Sequence, residues 1–212
     1  MIDTVRATID RVLDGRLLLT HPFYRRWEQG ALAHDELARY AEQYRFFESF
    51  LPEFLGEVAS RLDDGPTRRC VLDNLADEIA SPSHLELFER FAEAYGAENA
   101  DVSAAMSSLV AAYRSAIDEG VAVGVAGLLA YEVQGAAIAS SKARGLEVHY
   151  GAAPQALDFW LVHGRIEDDH AQWTLEGLDA LAPSDADVER GVDLVASAWW
   201  AFLDEREVLA TH

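Results

Sequence analysis

The sharpest chemical pattern in the sequence is HGRIEDDH, residues 163–170, in which two histidines flank a glutamate. On a helix that turns 100° per residue, offsets of four and seven place His163, Glu167 and His170 within about 60° of one another. Two imidazoles and a carboxylate on one face form half of a site for a divalent metal ion. The solvated face of an acidic helix is the alternative, since Asp168 and Asp169 lie in the same segment.

Glu132 is a lone carboxylate within the apolar segment AVGVAGLLAYEVQGAAIA. Small and apolar neighbours on all sides predict a helix that is buried around its whole circumference. Gly124, Gly127 and Gly135 would let other helices approach it closely. A buried carboxylate is costly unless it is neutralised, paired or bound to a cation. We therefore expect a metal ion at Glu132, with pairing to an arginine as the alternative.

Glu78 and His84 form a third pattern, although the helix break at residues 81–83 separates them. Their spacing says little by itself, but the total count of ligands is informative. Three carboxylates and three imidazoles on different helices are typical of dimetal sites inside helical bundles. Mixed nitrogen and oxygen ligands favour iron or manganese, with zinc a lesser alternative. The predicted ligands are Glu78, His84, Glu132, His163, Glu167 and His170.

Lys142 is the only lysine in the sequence, beside sixteen arginines. A surface ion pair would accept arginine, so a retained lysine indicates a need for an amine rather than a charge. Chance survival of one lysine is the alternative. Tyr40, Tyr44 and Phe47 repeat at helical spacing, which usually indicates ordinary core packing. A tyrosine beside an oxidising metal centre can also be a radical site or a substrate.

Helical periodicity extends along nearly the whole chain, and no convincing run of alternating β-branched residues interrupts it. Gly15 and Pro22 indicate a connection after the first helix. We expect one all-α domain of seven or eight helices. The predicted helices span residues 2–14, 35–61, 67–80, 84–95, 102–119, 121–146, 153–178 and 184–208.

The charge balance restricts the possible partners. The chain has 212 residues, 17 of them basic and 37 acidic, for a formal net charge of −20. Such a surface repels phosphate backbones and anionic lipids, which argues against nucleic-acid and membrane partners. The single cysteine, Cys70, fits a reducing compartment. The N-terminus does not resemble a signal peptide, and the apolar run 121–131 is too short to cross a bilayer. We expect a soluble, cytoplasmic protein.

Four segments together resemble the haem-oxygenase-like dimetal oxidases. Within that family they are most similar to the para-aminobenzoate synthases that resemble the Chlamydia protein associating with death domains (CADD). The resemblance covers residues 20–172, in the same order and with similar spacing, and it implies a haem-oxygenase-like bundle over residues 1–212. The segments are HPFYRRWEQGALAHDELARYAEQY, DNLADEIASPSH, AYEVQGAAIASSKARGL and HGRIEDDHA.

The resemblance implies specific roles. The family's ligands match the six predicted positions, but its usual aspartate falls on Glu167, which reaches one methylene further. In the para-aminobenzoate synthases, a tyrosine of the protein supplies the ring and a lysine the nitrogen, and these match Tyr24 and Lys142. Nearby tyrosines match Tyr40 and Tyr131. The implied cofactors are two metal ions, Fe/Fe or Mn/Fe, with O₂ and an external reductant as co-substrates. The oligomeric state, monomer or homodimer, is not decided by the sequence.

Several other functions compete with this interpretation. A related oxidase acting on a free amino acid or fatty acid would need neither Tyr24 nor Lys142. A TenA-like thiamin-salvage hydrolase would use a cysteine nucleophile, and Cys70 does not lie in the corresponding helix. A haem enzyme needs an axial histidine, for which His21 is a candidate. A non-enzymatic interaction protein has no reason to bury three carboxylates and three imidazoles together.

Overall fold

The chain folds as a bundle of helices. A computed structural model describes residues 2–209, and all regular structure within that range is helical. The all-α prediction is confirmed, with one or two more helices than expected. They are α1 (Ile2–Leu13), α2 (Pro22–Glu28), α3 (His34–Ser60), α4 (Pro66–Glu78), α5 (His84–Ala94), α6 (Ala104–Glu119), α7 (Val121–His149), α8 (Pro154–Ala180) and α9 (Asp185–Val208), with a 3-10 turn at Leu18–Thr20.

The short helix α2 was not predicted from the sequence. His21 caps it, because its Nδ1 accepts a hydrogen bond from the backbone N–H of Phe23 at 3.1 Å, and a proline occupies the first helical position. The helix buries Phe23, Tyr24 and Trp27 against the rest of the bundle. Seven residues are too few for helical periodicity to be recognised, but the cap and the proline could have indicated this helix.

Helix α7 is the centre of the bundle and packs along α8 and α9. Glycines allow the close approach, as predicted. A Cβ atom at Gly124 would lie 2.8 Å from Ile117, and one at Gly127 would lie 3.0 Å from Val195. On α9, a Cβ atom at Gly191 would collide with a backbone carbonyl of α7. The close contacts therefore fix the position of α7, and of its side chains, relative to the neighbouring helices.

The length of α7 corrects one argument made from the sequence. The helix has 29 residues, and its most apolar window has a mean hydropathy of 1.6, so by length and composition it could span a membrane. The apolar run 121–131 ends at Glu132 and is too short to cross a bilayer, but the helix continues to His149. Within the bundle, 61% of the window is buried. This burial is expected for the central helix of a soluble protein.

Aromatic side chains fill the space between α3 and its neighbours. Tyr40, Tyr44 and Phe47 are almost fully buried, so their predicted place in the core is confirmed. The rings of Tyr40 and Tyr44 stack with centroids 5.3 Å apart. Phe47 packs edge-on against Trp199 of α9, with centroids 4.7 Å apart. This aromatic packing separates the middle of α3 from solvent.

Candidate dimetal site and the adjacent tyrosine–lysine cluster

Glu78, His84 and His163 each bring one ligand atom to a common point. These atoms lie within 4.8 Å of one another, and all three side chains are buried. Glu78 ends α4 and His84 begins α5, so the break between the helices turns both side chains toward α8. The hydroxyl of Ser83 fixes the start of α5 by accepting a hydrogen bond from the backbone N–H of Glu86 at 3.1 Å. The break that made the spacing uninformative is what brings two candidate ligands together.

Among the six predicted ligands, three atoms have no hydrogen-bond partner within residues 2–209. They are Oε2 of Glu78, Nδ1 of His84 and Oε2 of Glu132. The first two lie 2.9 Å apart but are not aligned for a hydrogen bond. A buried polar group left unpaired costs about 1–3 kcal/mol, and more when it is charged. Because a cation would satisfy all three atoms, these residues fit a metal ion.

Glu132 and Glu167 line the same cavity as Glu78. Burial raises the pKa of Glu132 to about 7, the charge of Glu78 adds to this, and hydrogen bonding from polar neighbours opposes it. Burial also raises the pKa of Glu167 well above its usual value, and the charges of Glu132 and Glu78 raise it further. Raised pKa values at Glu132 and Glu167 are expected where a cation normally lies between carboxylates.

His163 is held in the form that a metal requires. Its Nδ1 lies 2.9 Å from the backbone oxygen of Phe159, and its Nε2 lies 3.9 Å from Oε1 of Glu167. Burial lowers the pKa of His163 to about 3, and the neighbouring His84 lowers it further. The imidazole is therefore neutral, with Nε2 free to donate a lone pair to a cation.

His170 also lines the cavity, but it lies outside the cluster formed by the first three ligand atoms. Its Nε2 pairs with Oδ2 of Asp77 at 3.1 Å. A carboxylate on the far nitrogen of a ligating histidine fixes the orientation and tautomer of the ring. Asp77 was not predicted from the sequence, because pairing across two helices has no local pattern.

Glu167, which replaces the family's usual aspartate, has a specific neighbour on α7. A Cβ atom added to Gly135 would lie 2.8 Å from Oε2 and 3.2 Å from Cγ of Glu167. Because contacts this short are rare, an alanine here would force the end of the Glu167 side chain to move. Gly135 thus accommodates the additional methylene group of Glu167.

The cavity between these residues is small, about 20 Å³. It has room for ions or a water molecule but not for an organic molecule. Tyr44, Glu48 and Asn74 also line it, and none was assigned to the site from the sequence. Nδ2 of Asn74 donates a hydrogen bond to Oε1 of Glu132 at 3.0 Å. Asn74 precedes Glu78 by four residues on α4, a spacing that could have indicated it.

Lys142 is buried among aromatic rings. Its Nζ donates a hydrogen bond to the hydroxyl of Tyr40 at 2.6 Å, and that hydroxyl lies 3.0 Å from the hydroxyl of Tyr24. The same Nζ lies 4.4 Å from the ring centroid of Tyr24 and 4.3 Å from that of Trp160. Burial lowers the pKa of Lys142 well below its usual value, although the charge of Glu48 opposes this. We call Tyr24, Tyr40 and Lys142 the tyrosine–lysine cluster.

Two further tyrosines join this cluster to the cavity. The hydroxyls of Tyr44 and Tyr131 lie 3.0 Å apart, and both residues line the cavity. Tyr44 in turn stacks on Tyr40. The structure therefore brings together all four tyrosines in one chain of contacts, which we call the tyrosine chain: Tyr131, Tyr44, Tyr40 and Tyr24.

The residues named for competing functions lie elsewhere or are already engaged. One ring nitrogen of His21 caps α2, and the other lies 3.1 Å from Oδ1 of Asp204, so neither is available to a haem iron. Cys70 is half-buried on α4 and is not part of the cavity wall. Burial raises the pKa of its thiol, which disfavours the nucleophilic thiolate.

Comparison with known proteins identifies relatives of the chain. Residues 38–204 match a family described as iron-containing redox enzymes. A 4-aminobenzoate synthase from Chlamydia pneumoniae is 31% identical over 204 residues, covering 92% of this chain and 91% of the relative. Another 4-aminobenzoate synthase, from Nitrosomonas europaea, is 33% identical, and the match covers 95% of this chain and 90% of the relative.

Solved structures share the fold. A CADD-like protein of unknown function from Nostoc punctiforme has a TM-score of 0.82 and 19% identity, covering 100% of this chain and 99% of its own. A TenA homologue from Pseudomonas syringae has a TM-score of 0.77 and 13% identity, covering 97% and 92%. A Shewanella denitrificans domain with a haem-oxygenase-like fold has a TM-score of 0.69 and 15% identity, covering 99% and 91%.

The predicted haem-oxygenase-like fold and the resemblance to CADD-like proteins are confirmed by these comparisons. The match to the redox-enzyme family extends over most of the chain, and the 4-aminobenzoate synthases exceed 30% identity over nine-tenths of it. The chain is an enzyme that belongs to the family of iron-containing redox enzymes.

Proposed function

We propose that this enzyme uses two metal ions to activate oxygen and makes 4-aminobenzoate from its own Tyr24, with nitrogen taken from Lys142. The observation that carries the proposal is the position of the only lysine in the chain. Lys142 is buried, and its Nζ contacts both the hydroxyl of Tyr40 and the ring face of Tyr24. The 4-aminobenzoate synthases among the relatives support the same product.

The six predicted ligands would hold the metal pair, as Fe/Fe or Mn/Fe. Their mixture of imidazole nitrogen and carboxylate oxygen suits these metals better than magnesium or calcium. When bound, the ions supply the oxidation by O₂ that cleavage of a tyrosine side chain needs, with an external reductant as co-substrate. The ligands are Glu78, His84, Glu132, His163, Glu167 and His170.

Lys142 is suited to donate nitrogen because burial favours its neutral amine. A neutral amine retains the lone pair that forms a carbon–nitrogen bond, whereas an ammonium group does not. The hydroxyl of Tyr40 holds Nζ by a hydrogen bond and also contacts the hydroxyl of Tyr24. The surrounding rings exclude water, which would otherwise compete with the amine for an activated ring.

The tyrosine chain connects the cavity to Tyr24. Each phenol can give up a proton to its hydrogen-bonded neighbour as it loses an electron, so the pairs Tyr131–Tyr44 and Tyr40–Tyr24 are suited to relay oxidation. The stacked rings of Tyr44 and Tyr40 join the two pairs. Tyr40 and Tyr131 therefore act in passing oxidation from the cavity to the residue that is consumed.

The size of the cavity favours a substrate within the protein over a free one. Pockets for small organic molecules usually measure about 300–1,000 Å³. The space beside the ligands measures about 20 Å³. An oxidase acting on a free amino acid or fatty acid would need a much larger cavity here.

We also propose that the enzyme works in the cytoplasm without nucleic-acid or membrane partners. A single cysteine excludes an internal disulfide and fits a reducing compartment. The net charge of −20 disfavours polyanions and anionic lipid surfaces. Molecular oxygen and a reductant are then the partners that the reaction requires.

The proposal is tested with protein produced in cells fed lysine labelled with ¹⁵N at Nζ. Reduced, iron-loaded protein exposed to O₂ should release 4-aminobenzoate without any added organic substrate. The yield should not exceed one equivalent per chain, since each chain has one lysine. Mass spectrometry should find ¹⁵N in the product and modification at Tyr24. Unlabelled product, or product formed only with an added substrate over many turnovers, would refute self-consumption.

Matched variants separate the two donors. Tyr24→Phe should abolish the product while leaving metal content intact. Lys142→Arg retains a basic side chain but removes the primary amine, so it should also abolish the product. Tyr150→Phe is the control and should leave the yield unchanged, because Tyr150 does not line the cavity and its hydroxyl accepts a hydrogen bond from the backbone N–H of Leu32. Normal product from Lys142→Arg would show that the nitrogen comes from elsewhere.

A further inference from the structure

Glu48 is a buried carboxylate that no sequence pattern indicated. It lies on α3, one turn after Tyr44, and its side chain is 3% exposed. It lines the same cavity as Glu78, Glu132 and Glu167. Glu48 enters from α3, whereas the six predicted ligands come from α4, α5, α7 and α8.

No arginine or lysine forms an ion pair with Glu48 among the described residues, although the charge of Lys142 acts on it from further away. Within residues 2–209, its Oε2 has no hydrogen-bond partner and the side chain forms no salt bridge. Glu36, on the same helix, shows how this bundle satisfies an ordinary buried glutamate. Its two oxygens accept hydrogen bonds from Nη2 of Arg26 at 2.7 and 2.8 Å, and it also caps the start of α3. Glu48 has no such arginine partner, and although Tyr44 hydrogen-bonds to its carboxylate, Oε2 stays unpaired. Burying a carboxylate without an ion pair is costly.

Charge balance explains why a fourth carboxylate would lie here. Two divalent cations with three carboxylates and three neutral imidazoles leave one positive charge uncompensated. An uncompensated charge in the interior is strongly unfavourable. A fourth carboxylate makes the site neutral, and carboxylate oxygens are good ligands for iron and manganese.

We propose that Glu48 is a fourth carboxylate ligand of the metal pair and closes the site on its α3 side. This inference rests on the proposed function, because it requires the dimetal site. It makes α3 part of the coordination and places a metal ligand one helical turn from Tyr44. Both the metal pair and the tyrosine chain are then anchored to the same stretch of α3.

The test is anaerobic titration of the metal-free protein with Fe(II), read by equilibrium dialysis and by Mössbauer spectroscopy of ⁵⁷Fe. Glu48→Gln preserves the size of the side chain and removes its charge. The weaker of the two ions should bind at least about tenfold less tightly, and the spectrum of at least one iron should change. Glu36→Gln is the control on the same helix, and it should bind both ions as the wild type does.

Each outcome decides a separate point. If Glu48→Gln binds both ions with wild-type affinity and an unchanged spectrum, Glu48 is not a ligand, and the six-ligand site stands. If the wild type binds no iron pair, the proposed function itself fails. If Glu48→Gln does not fold, as judged by circular dichroism, Glu48→Asp is titrated in its place. Its shorter carboxylate should weaken binding of one ion, and unchanged binding would overturn the inference.

Discussion

Two buried polar regions of this bundle differ in how well the protein satisfies them. Around the candidate dimetal site, Glu48, Glu78, His84 and Glu132 all have atoms without a hydrogen-bond partner among the described residues. In the tyrosine–lysine cluster and along the tyrosine chain, every hydroxyl and the amine has one. The two regions are adjacent, and α3 and α7 contribute to both.

The difference indicates what each region lacks. Unpaired carboxylates and imidazoles are stable only when something from outside binds them, and a metal ion does so. Paired phenols and an amine in tight aromatic packing need no added molecule. A region that is complete without a ligand is what we expect when the substrate belongs to the chain itself.

The largest expected effect is on metal content. His163→Ala or His170→Ala should reduce it from about two ions per chain to well below one, because each removes a ligand from the cavity. Elemental analysis after anaerobic reconstitution measures this. Asp168→Ala is the control, since Asp168 lies on the same helix but is exposed. If either histidine variant retains two ions, the cavity is not the metal site.

The next effect concerns the contact between α7 and α8. Gly135→Ala should push Glu167 out of place, weaken metal binding and destabilise the fold by about 1–3 kcal/mol. Glu167→Asp removes a methylene group, so Gly135→Ala should reduce stability and metal binding less in the Glu167→Asp variant than in the wild type. A double-mutant cycle by urea unfolding and metal titration measures the coupling. Gly56→Ala is the control, because a Cβ atom there would lie 4.0 Å from its nearest neighbour. Additive effects would exclude this account of Glu167.

A smaller effect is the pH dependence of metal stabilisation. The folded pKa of Glu132, about 7, exceeds its ordinary value of 4.5, so its protonation stabilises the apo protein at low pH. That contribution is lost as the pH rises through about 7. Glu48 and Glu167 shift in the same direction. Lys142 shifts the opposite way, because burial lowers its pKa, and apart from the charge of Glu48 this burial is common to the apo and metal-bound protein.

The gap in melting temperature between metal-bound and apo protein should therefore widen from about pH 6 to about pH 8, because metal binding displaces these protons. Calorimetry of both forms measures it. Glu132→Gln should raise the apo melting temperature at the higher pH and reduce the dependence of the apo form on pH. A gap that is constant with pH would argue against a carboxylate-rich metal site.

The smallest effect lies in the satisfied region. Tyr24→Phe removes one hydroxyl contact, while Tyr40 still accepts a hydrogen bond from Lys142. Apo protein should lose only about 1 kcal/mol of unfolding free energy. Urea unfolding measures this loss, which is opposite in sign to the effect of Glu132→Gln at the same pH. Stabilisation by Tyr24→Phe would mean that the two regions do not differ as described.

Patterns local to one helix predicted much of this arrangement. The face shared by His163, Glu167 and His170, and the buried position of Glu132, follow from periodicity within one helix. Glu48, Asp77 and Tyr44 were not predicted because their significance depends on partners from other helices. Glu48 looks like any acidic residue of an acidic chain, and Tyr44 like any core aromatic. Residues 22–28 were missed because one short helix gives too little periodicity.

Because Lys142 is buried, its chemical modification can be used to measure local opening of the helical bundle. An amine-acylating reagent, such as a succinimidyl ester, finds one lysine in 212 residues, and that lysine is sealed among aromatic rings. In the native protein such a reagent should leave Lys142 unmodified. The rate at which Lys142 acquires the label then reports how often the bundle parts around it. The same local opening of the bundle is the step by which an aromatic amine formed there would reach solvent.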